Sequence, residues 1–101
     1  MDQINQKKCF ILADVAISLS HPARLRILEL LSLNDDVCFK DVHEELGLAV
    51  ATVFQHLTVL RRAQIVAERG GANNKKLRYY YITDLGRERL AMLRDFVNTV
   101  S

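Results

Sequence analysis

Apolar residues recur at helical spacing through most of this chain, and the pattern gives way once to strand-like runs. From residue 4 to 19, Cys9, Leu12, Ala16 and Leu19 line one stripe and Ile4, Ile11 and Val15 an adjacent one, which predicts a first helix with a broad buried face. The polar pair Ser20-His21 then meets Pro22, whose missing N–H costs nothing at the first position of a helix. Leu25, Ile27, Leu28, Leu30 and Leu31 carry that second helix to about Ser32. Asn34-Asp35-Asp36 has turn chemistry, and Val37-Cys38-Phe39 is a short apolar link that fits one extended strand. A third helix is predicted from about Lys40 to Leu46, with Val42 and Leu46 inward.

The most informative stretch follows. Gly47 ends the third helix, and Val53, Leu57 and Leu60, at spacings of four and three, form a seam that must face a core. At 100° per residue, Ala51, Gln55, Thr58 and Arg62 fall on the opposite side of this fourth helix, with Thr52 at its edge. A tight turn followed by a helix with one buried and one presented face suits a groove of duplex DNA; an ordinary amphipathic surface helix would have the same periodicity.

Beyond it, Ile65 to Arg69 and Leu77 to Ile82 are rich in β-branched and aromatic residues, and Gly70-Gly71-Ala72-Asn73-Asn74 between them predicts a β-hairpin. Thr83 stands where an N-cap belongs, ahead of a last helix to about Val100. That helix carries Leu90, Leu93, Val97 and Val100 on one stripe and Leu85, Met92 and Phe96 on another. This is more apolar surface than one small core can cover, so part of it is expected to bury against a second subunit.

A chain of 101 residues reads as one domain, residues 1–101, with a single modest core. No apolar run approaches the roughly 18 residues that span a bilayer, and the polar start does not resemble a signal peptide, so a cytoplasmic protein without a membrane partner is expected. Net charge is only +2, but residues 1–50 hold five Lys or Arg against eight Asp or Glu, while residues 51–101 hold nine against four. Between Arg61 and Arg78 six cations, Arg61, Arg62, Arg69, Lys75, Lys76 and Arg78, face one anion, Glu68, a density that suits a phosphate backbone.

Helix, helix, helix, helix, hairpin, helix is the order of a winged helix-turn-helix, a mainly α (α+β) fold with five helices and a β-hairpin wing. Leu19-Ser20-His21-Pro22-Ala23-Arg24-Leu25-Arg26-Ile27-Leu28-Glu29-Leu30-Leu31 resembles the entry signature of ArsR/SmtB-type bacterial repressors. Leu46-Gly47-Leu48, Thr52-Val53, His56-Leu57, Val59-Leu60-Arg61 and Tyr79-Tyr80-Tyr81 match the recognition unit and wing of that family in order and spacing, so the similarity covers roughly residues 10–85. The resemblance implies a homodimer paired through its first and last helices, with Leu12, Leu90, Leu93, Phe96 and Val97 at the interface. It implies a sequence-specific regulator that binds a near-palindromic operator and is released by an inducer. The residues expected on DNA are Val50, Ala51, Thr52, Gln55, His56, Thr58 and Arg62 of the fourth helix, with Arg69, Lys75, Lys76 and Arg78 of the wing, although His56 could instead face the helix-turn-helix interior. Val50 and Ala51 can touch thymine methyls, and Gln55 can pair bidentately with adenine.

The chain departs from the family at several positions. Metal-sensing members show Cys-x-Cys-Asp near the third helix; here the run is Cys38-Phe39-Lys40-Asp41, and protonated Lys40 is no ligand. A second family site uses His and acidic residues on the last helix, which here has no His. No metal and no cofactor is therefore expected. Positions commonly Ser are Ala49, Ala51 and Phe54, which removes a helix cap and hydroxyl donors and admits an alternative reading, a winged-helix protein-interaction module that does not bind DNA.

Cys9 and Cys38 match no zinc ribbon or Cys-x-x-Cys spacing. They are either two reduced thiols, Cys9 in the core, or a thiol switch, because some relatives sense oxidants or reactive sulfur with a cysteine just before the third helix. His21, His43 and His56 are scattered, and no Gly-rich phosphate loop or nucleophile set supports an enzyme.

Overall fold

The computed structural model describes residues 6–70 and 77–100, without the side chains of Ile11, Leu12, Asp14, Val15, Ile17 and Val100. Its elements are α1 (Gln6–Ser18), α2 (Pro22–Ser32), β1 (Val37–Cys38), α3 (Phe39–Leu46), α4 (Val50–Arg62), β2 (Val66–Gly70), β3 (Arg78–Ile82) and α5 (Asp84–Val100). This is the expected winged helix-turn-helix order, with small shifts at element ends: Leu77 lies before β3 and Gly70 inside β2. The third helix starts at Phe39, one residue early, and Ile65 is not in the wing strand, because it closes the end of α4.

Each helix end has a local cause. Ahead of α2, extended His21 accepts the Ala23 N–H on Nδ1 at 3.0 Å, and Pro22 occupies the first helical position. α3 stops at Gly47, whose φ of 65° is left-handed and whose N–H reaches the His43 carbonyl at 3.0 Å. A Cβ there would meet nothing within 4 Å, so the backbone conformation, not crowding, favours glycine. α4 begins without side-chain help, since its N-cap is Ala49. It ends in a two-bond cap: the Gln64 N–H donates to Arg61 (2.9 Å) and the Ile65 N–H to Leu60 (3.0 Å). Gln64 carries the positive φ, 62°, that such a cap needs and that a glycine adopts without strain.

The sheet is antiparallel in the order β1-β3-β2. Val66 pairs with Ile82 and Gly70 with Arg78 in the wing, while Val37 and Cys38 pair with Tyr80 and Tyr79. The short link before α3 is thus a third strand. Between sheet and helices lies the core: Ile27, Leu28 and Leu31 of α2, Val42 of α3, Val53, Leu57 and Leu60 of α4, with Ile65, Val66, Tyr80, Ile82 and Leu90.

α5 is tied to the end of α4 by Thr83. Its hydroxyl donates to the Gln64 carbonyl at 2.6 Å, lies 3.0 Å from that of Ile65, and accepts the Gly86 N–H at 3.0 Å, which makes it the expected N-cap. Gly86 lets the helix come this close: a Cβ on it would lie 2.4 Å from the Ile65 oxygen and 2.7 Å from Ile82 Cγ1.

The two outer helices depart from expectation. Cys9, Ala13 and Ala16 of α1 are exposed, as is Phe10, so Cys9 is not a core residue. Among the described side chains of α1 only Ser18 is buried. On α5, Leu90 is buried in the protomer's own core and is not a surface residue, Leu93 is half-buried, and Met92, Phe96 and Val97 are exposed. The radius of gyration, 14.7 Å, exceeds the roughly 13 Å of a compact chain of this length, as two projecting helices require.

Gly86→Ala should destabilise the fold by about 1–3 kcal/mol, because the added methyl has no space against backbone. Gln64→Gly should stabilise it by up to about 1 kcal/mol by relieving the left-handed residue. Urea unfolding of both variants, followed by circular dichroism, checks the opposite signs.

Candidate nucleic-acid interface

α3, the turn at Gly47 and α4 form a helix-turn-helix in which α4 is the second helix. Its inner face is sealed: Val53, Leu57 and Leu60 are buried against α2, α3 and the sheet. On its outer face Val50, Ala51, Gln55 and Arg62 are exposed, and Thr52 and Thr58 are half-buried at the margins. The predicted division into a seam and a presented side is therefore present, with one correction.

His56, expected on DNA, is only 7% exposed and faces inward. Arg24 Nε donates to its Nδ1 at 3.2 Å, and the His21 ring lies 4.6 Å away between centroids. Arginine can only donate, so Nδ1 must be unprotonated and the imidazole neutral. Burial first, and then the charges of His21 and Arg24, hold the His56 pKa below its ordinary value. His56 is thus a pin between α2 and α4, and its contact with Arg24 lay beyond sequence reasoning, which saw the two residues 32 positions apart.

Phe54, at a position commonly Ser in the family, is a packing contact within the unit. It stacks on Phe39 at the start of α3, centroids 4.2 Å apart, and Phe39 in turn stacks on His43 at 6.1 Å. An aromatic pair thus braces the two helices of the unit against each other. Its only sequence signal was an apolar residue at a position that pointed away from the seam.

The wing cations are not equivalent. Arg69 is ion-paired with Asp36 and lies over the Tyr81 ring, 5.6 Å from its centroid. Its pKa is raised by the Asp36 hydrogen bond and then by the Asp36 charge, so this cation is matched within the chain. Arg61 is ion-paired with Glu68 across α4 and β2. Arg62 and Arg78 are exposed and enter no ion pair among the described residues. Lys75 and Lys76 lie outside the described residues.

Cys38 is half-buried at the N-cap of α3, Cys9 is exposed on α1, and neither is in a disulfide. Leu12 is in α1, but its side chain is outside those described. Among the described residues no three His, Cys, Asp or Glu side chains converge as a metal site would need, and no helix is long and apolar enough to cross a membrane.

A sealed inner face, a presented outer face and a flanking hairpin are the architecture of winged-helix regulators of transcription. Residues 21–68 match the family described as bacterial regulatory protein, arsR family. An uncharacterized HTH-type transcriptional regulator of Methanocaldococcus jannaschii, MJ1325, is 36% identical over 73 residues, 71% of this chain and 78% of that one. Another, Rv0081 of Mycobacterium tuberculosis, is 45% identical over 56 residues, 55% of this chain and 49% of its own length, so the match spans about half of that relative. The crystal structure of Rv0081 superposes with a TM-score of 0.71 at 31% identity, covering 96% of this chain and 100% of that one. The transcriptional repressor BigR from Xylella fastidiosa superposes with a TM-score of 0.69 at 25% identity, covering 94% and 90%. The chain belongs to the ArsR family.

The lowered His56 pKa has a stability consequence. Between that pKa and the unfolded value near 6.5, the unfolded chain binds more protons than the folded one, so stability is full above the window and falls as pH drops through it. His56→Gln accepts from Arg24 without titrating. Urea midpoints measured from about pH 7.5 to about pH 5 should fall less steeply for the variant, by at most about 1.4 kcal/mol per pH unit. Parallel curves would remove His56 as a source of acid sensitivity.

Proposed function

We propose that this regulator is a homodimeric repressor that holds a near-palindromic operator through α4 and the wing and leaves it when an inducer is sensed. The observation that carries the reading is the two-faced α4: its inner side is locked by Val53, Leu57, Leu60 and the His56–Arg24 contact, which frees Gln55 and Arg62 to project together. Gln55 has the donor and acceptor that match an adenine edge, and Arg78 and Arg62 flank it with positive charge. BigR, similar over nearly the whole chain, is a transcriptional repressor, which favours that direction of control. Dimerisation is favoured by Phe10 at 63%, Met92 at 60%, Phe96 at 65% and Val97 at 55% exposure, side chains too apolar to face water together on a stable monomer. A cytoplasmic location is part of the same proposal.

Operator binding as a function of salt tests the reading. Gln55→Ala should cost about 1–3 kcal/mol on the operator and little on random duplex. Removing Lys75 and Lys76 should weaken binding to every sequence and flatten the salt slope by roughly one unit per lost phosphate contact. Phe96→Glu should lower dimer and DNA affinity together, since half-sites about one helical turn apart need both copies of α4 at once. If none of these variants differs from wild type on any duplex, the unit is used on a protein partner instead.

The inducer response is proposed to involve thiol chemistry. Cys38 sits where β1 ends and α3 begins, paired with Tyr79 of the wing, so a modification there would disturb the turn unit and the wing at once. Exposed Cys9 is the candidate partner. Peroxide or a persulfide donor should release operator from wild type and not from Cys38→Ser, whereas zinc should release neither. Release by zinc would overturn the reading.

A further inference from the structure

Between α4 and the wing lies a cavity of about 320 Å³. One wall is α4, with the Phe54 ring, Leu57 and the Thr58 hydroxyl; the opposite wall is β3, with Tyr80 and Arg78. The ion-paired Arg61 and Glu68 also line it. Phe54 is 49% exposed although its ring stacks on Phe39, so one side of an aromatic wall stays open. Burial, and then the Glu68 charge, raise the pKa of the Tyr80 phenol above its ordinary value. Arg61 is already neutralised by Glu68, which leaves Arg78 as the cation with no ion pair among the described residues. Gly70 gives its guanidinium room: a Cβ there would stand 3.0 Å from Nη1.

We propose that this cleft binds a small aromatic carboxylate, its one- or two-ring body between Phe54, Leu57 and Tyr80 and its carboxylate on Arg78. The volume is at the lower end of ordinary ligand pockets, and its make-up, apolar and aromatic walls with the Thr58 and Tyr80 hydroxyls, an Arg61–Glu68 pair and the unmatched charge of Arg78, favours a flat apolar acid over a metal ion. The charge excludes a cationic ligand, and the aromatic walls favour a ring over a bare anion. The consequence for regulation rests on the DNA-binding reading above. A carboxylate on Arg78 neutralises a cation proposed to face phosphate, and a ring wedged between α4 and β3 alters the spacing of the two elements that must engage DNA together. Ligand and operator must then weaken each other by the same factor.

The test separates the two levels. Without DNA, amide chemical shifts of the full chain are followed while benzoate, 2-naphthoate, benzamide and inorganic phosphate are added. The two carboxylates should shift Phe54, Thr58, Arg78 and Tyr80 saturably, and benzamide should bind about tenfold more weakly or not at all. Arg78→Gln and Phe54→Ala, each checked for a native spectrum, should each lose about tenfold in affinity for 2-naphthoate, whereas Phe54→Tyr should keep it. Shifts elsewhere, no saturable shifts, or phosphate binding as well as the aromatic acids would overturn the proposal, the last because it would make the cleft a seat for bare anions. Operator affinity is then measured with and without 2-naphthoate. A bound ligand that leaves operator affinity unchanged overturns the regulatory link, while failure to bind any DNA at all, with the shifts intact, counts against the DNA reading and not the pocket.

Discussion

Three elements meet at the peptide between Gln64 and Ile65, and the geometry of the whole reading head depends on how they are held there. The left-handed Gln64 stops α4, the next residue turns the chain into the wing, and the Thr83 hydroxyl binds both residues' carbonyls while capping α5. A glycine at 86 then lets α5 sit directly on that peptide. Because the presented helix, the hairpin and the helix with the exposed apolar stripe share one rigid joint, the angle between any two is not adjustable without breaking hydrogen bonds. In the proposed dimer, such stiffness would convert a subunit contact into a register on the duplex.

Electrostatics divides the basic half of the chain into structural and available charge. Arg69 and Arg61 are spent on Asp36 and Glu68, where they fasten β2 to the approach to β1 and to α4. At the surface such pairs contribute little to stability, about 0–1 kcal/mol, so their main effect here is geometric: they orient the wing. Arg62 and Arg78 remain for other contacts. Counting cations does not reveal this division, which only the pairing scheme among the described residues shows.

The protomer is otherwise well satisfied in its middle and unsatisfied at its ends. α2, α3, α4 and the sheet form a closed core, whereas α1 and the outer side of α5 keep Phe10, Met92, Phe96 and Val97 in water. The same helix thus serves two masters along its length, with Leu90 inside and Phe96 outside.

Helical period, Pro22 at a helix start, Gly47 at a helix stop, Thr83 as a cap and the glycine-rich break of the hairpin are local properties, and the sequence alone determined the element order, the fold class and the seam of α4. Neighbouring residues decide these features, so one chain read in order is enough. What the sequence could not decide were the meetings of distant residues: His56 turning in to Arg24, Phe54 stacking on Phe39, β1 pairing with β3, and Arg69 answering Asp36. Each depends on the direction of a side chain across a gap that helical spacing does not encode. A residue at the margin of a helix face, as His56 is, can face core or solvent, and only the packing of α2 against α4 settled which.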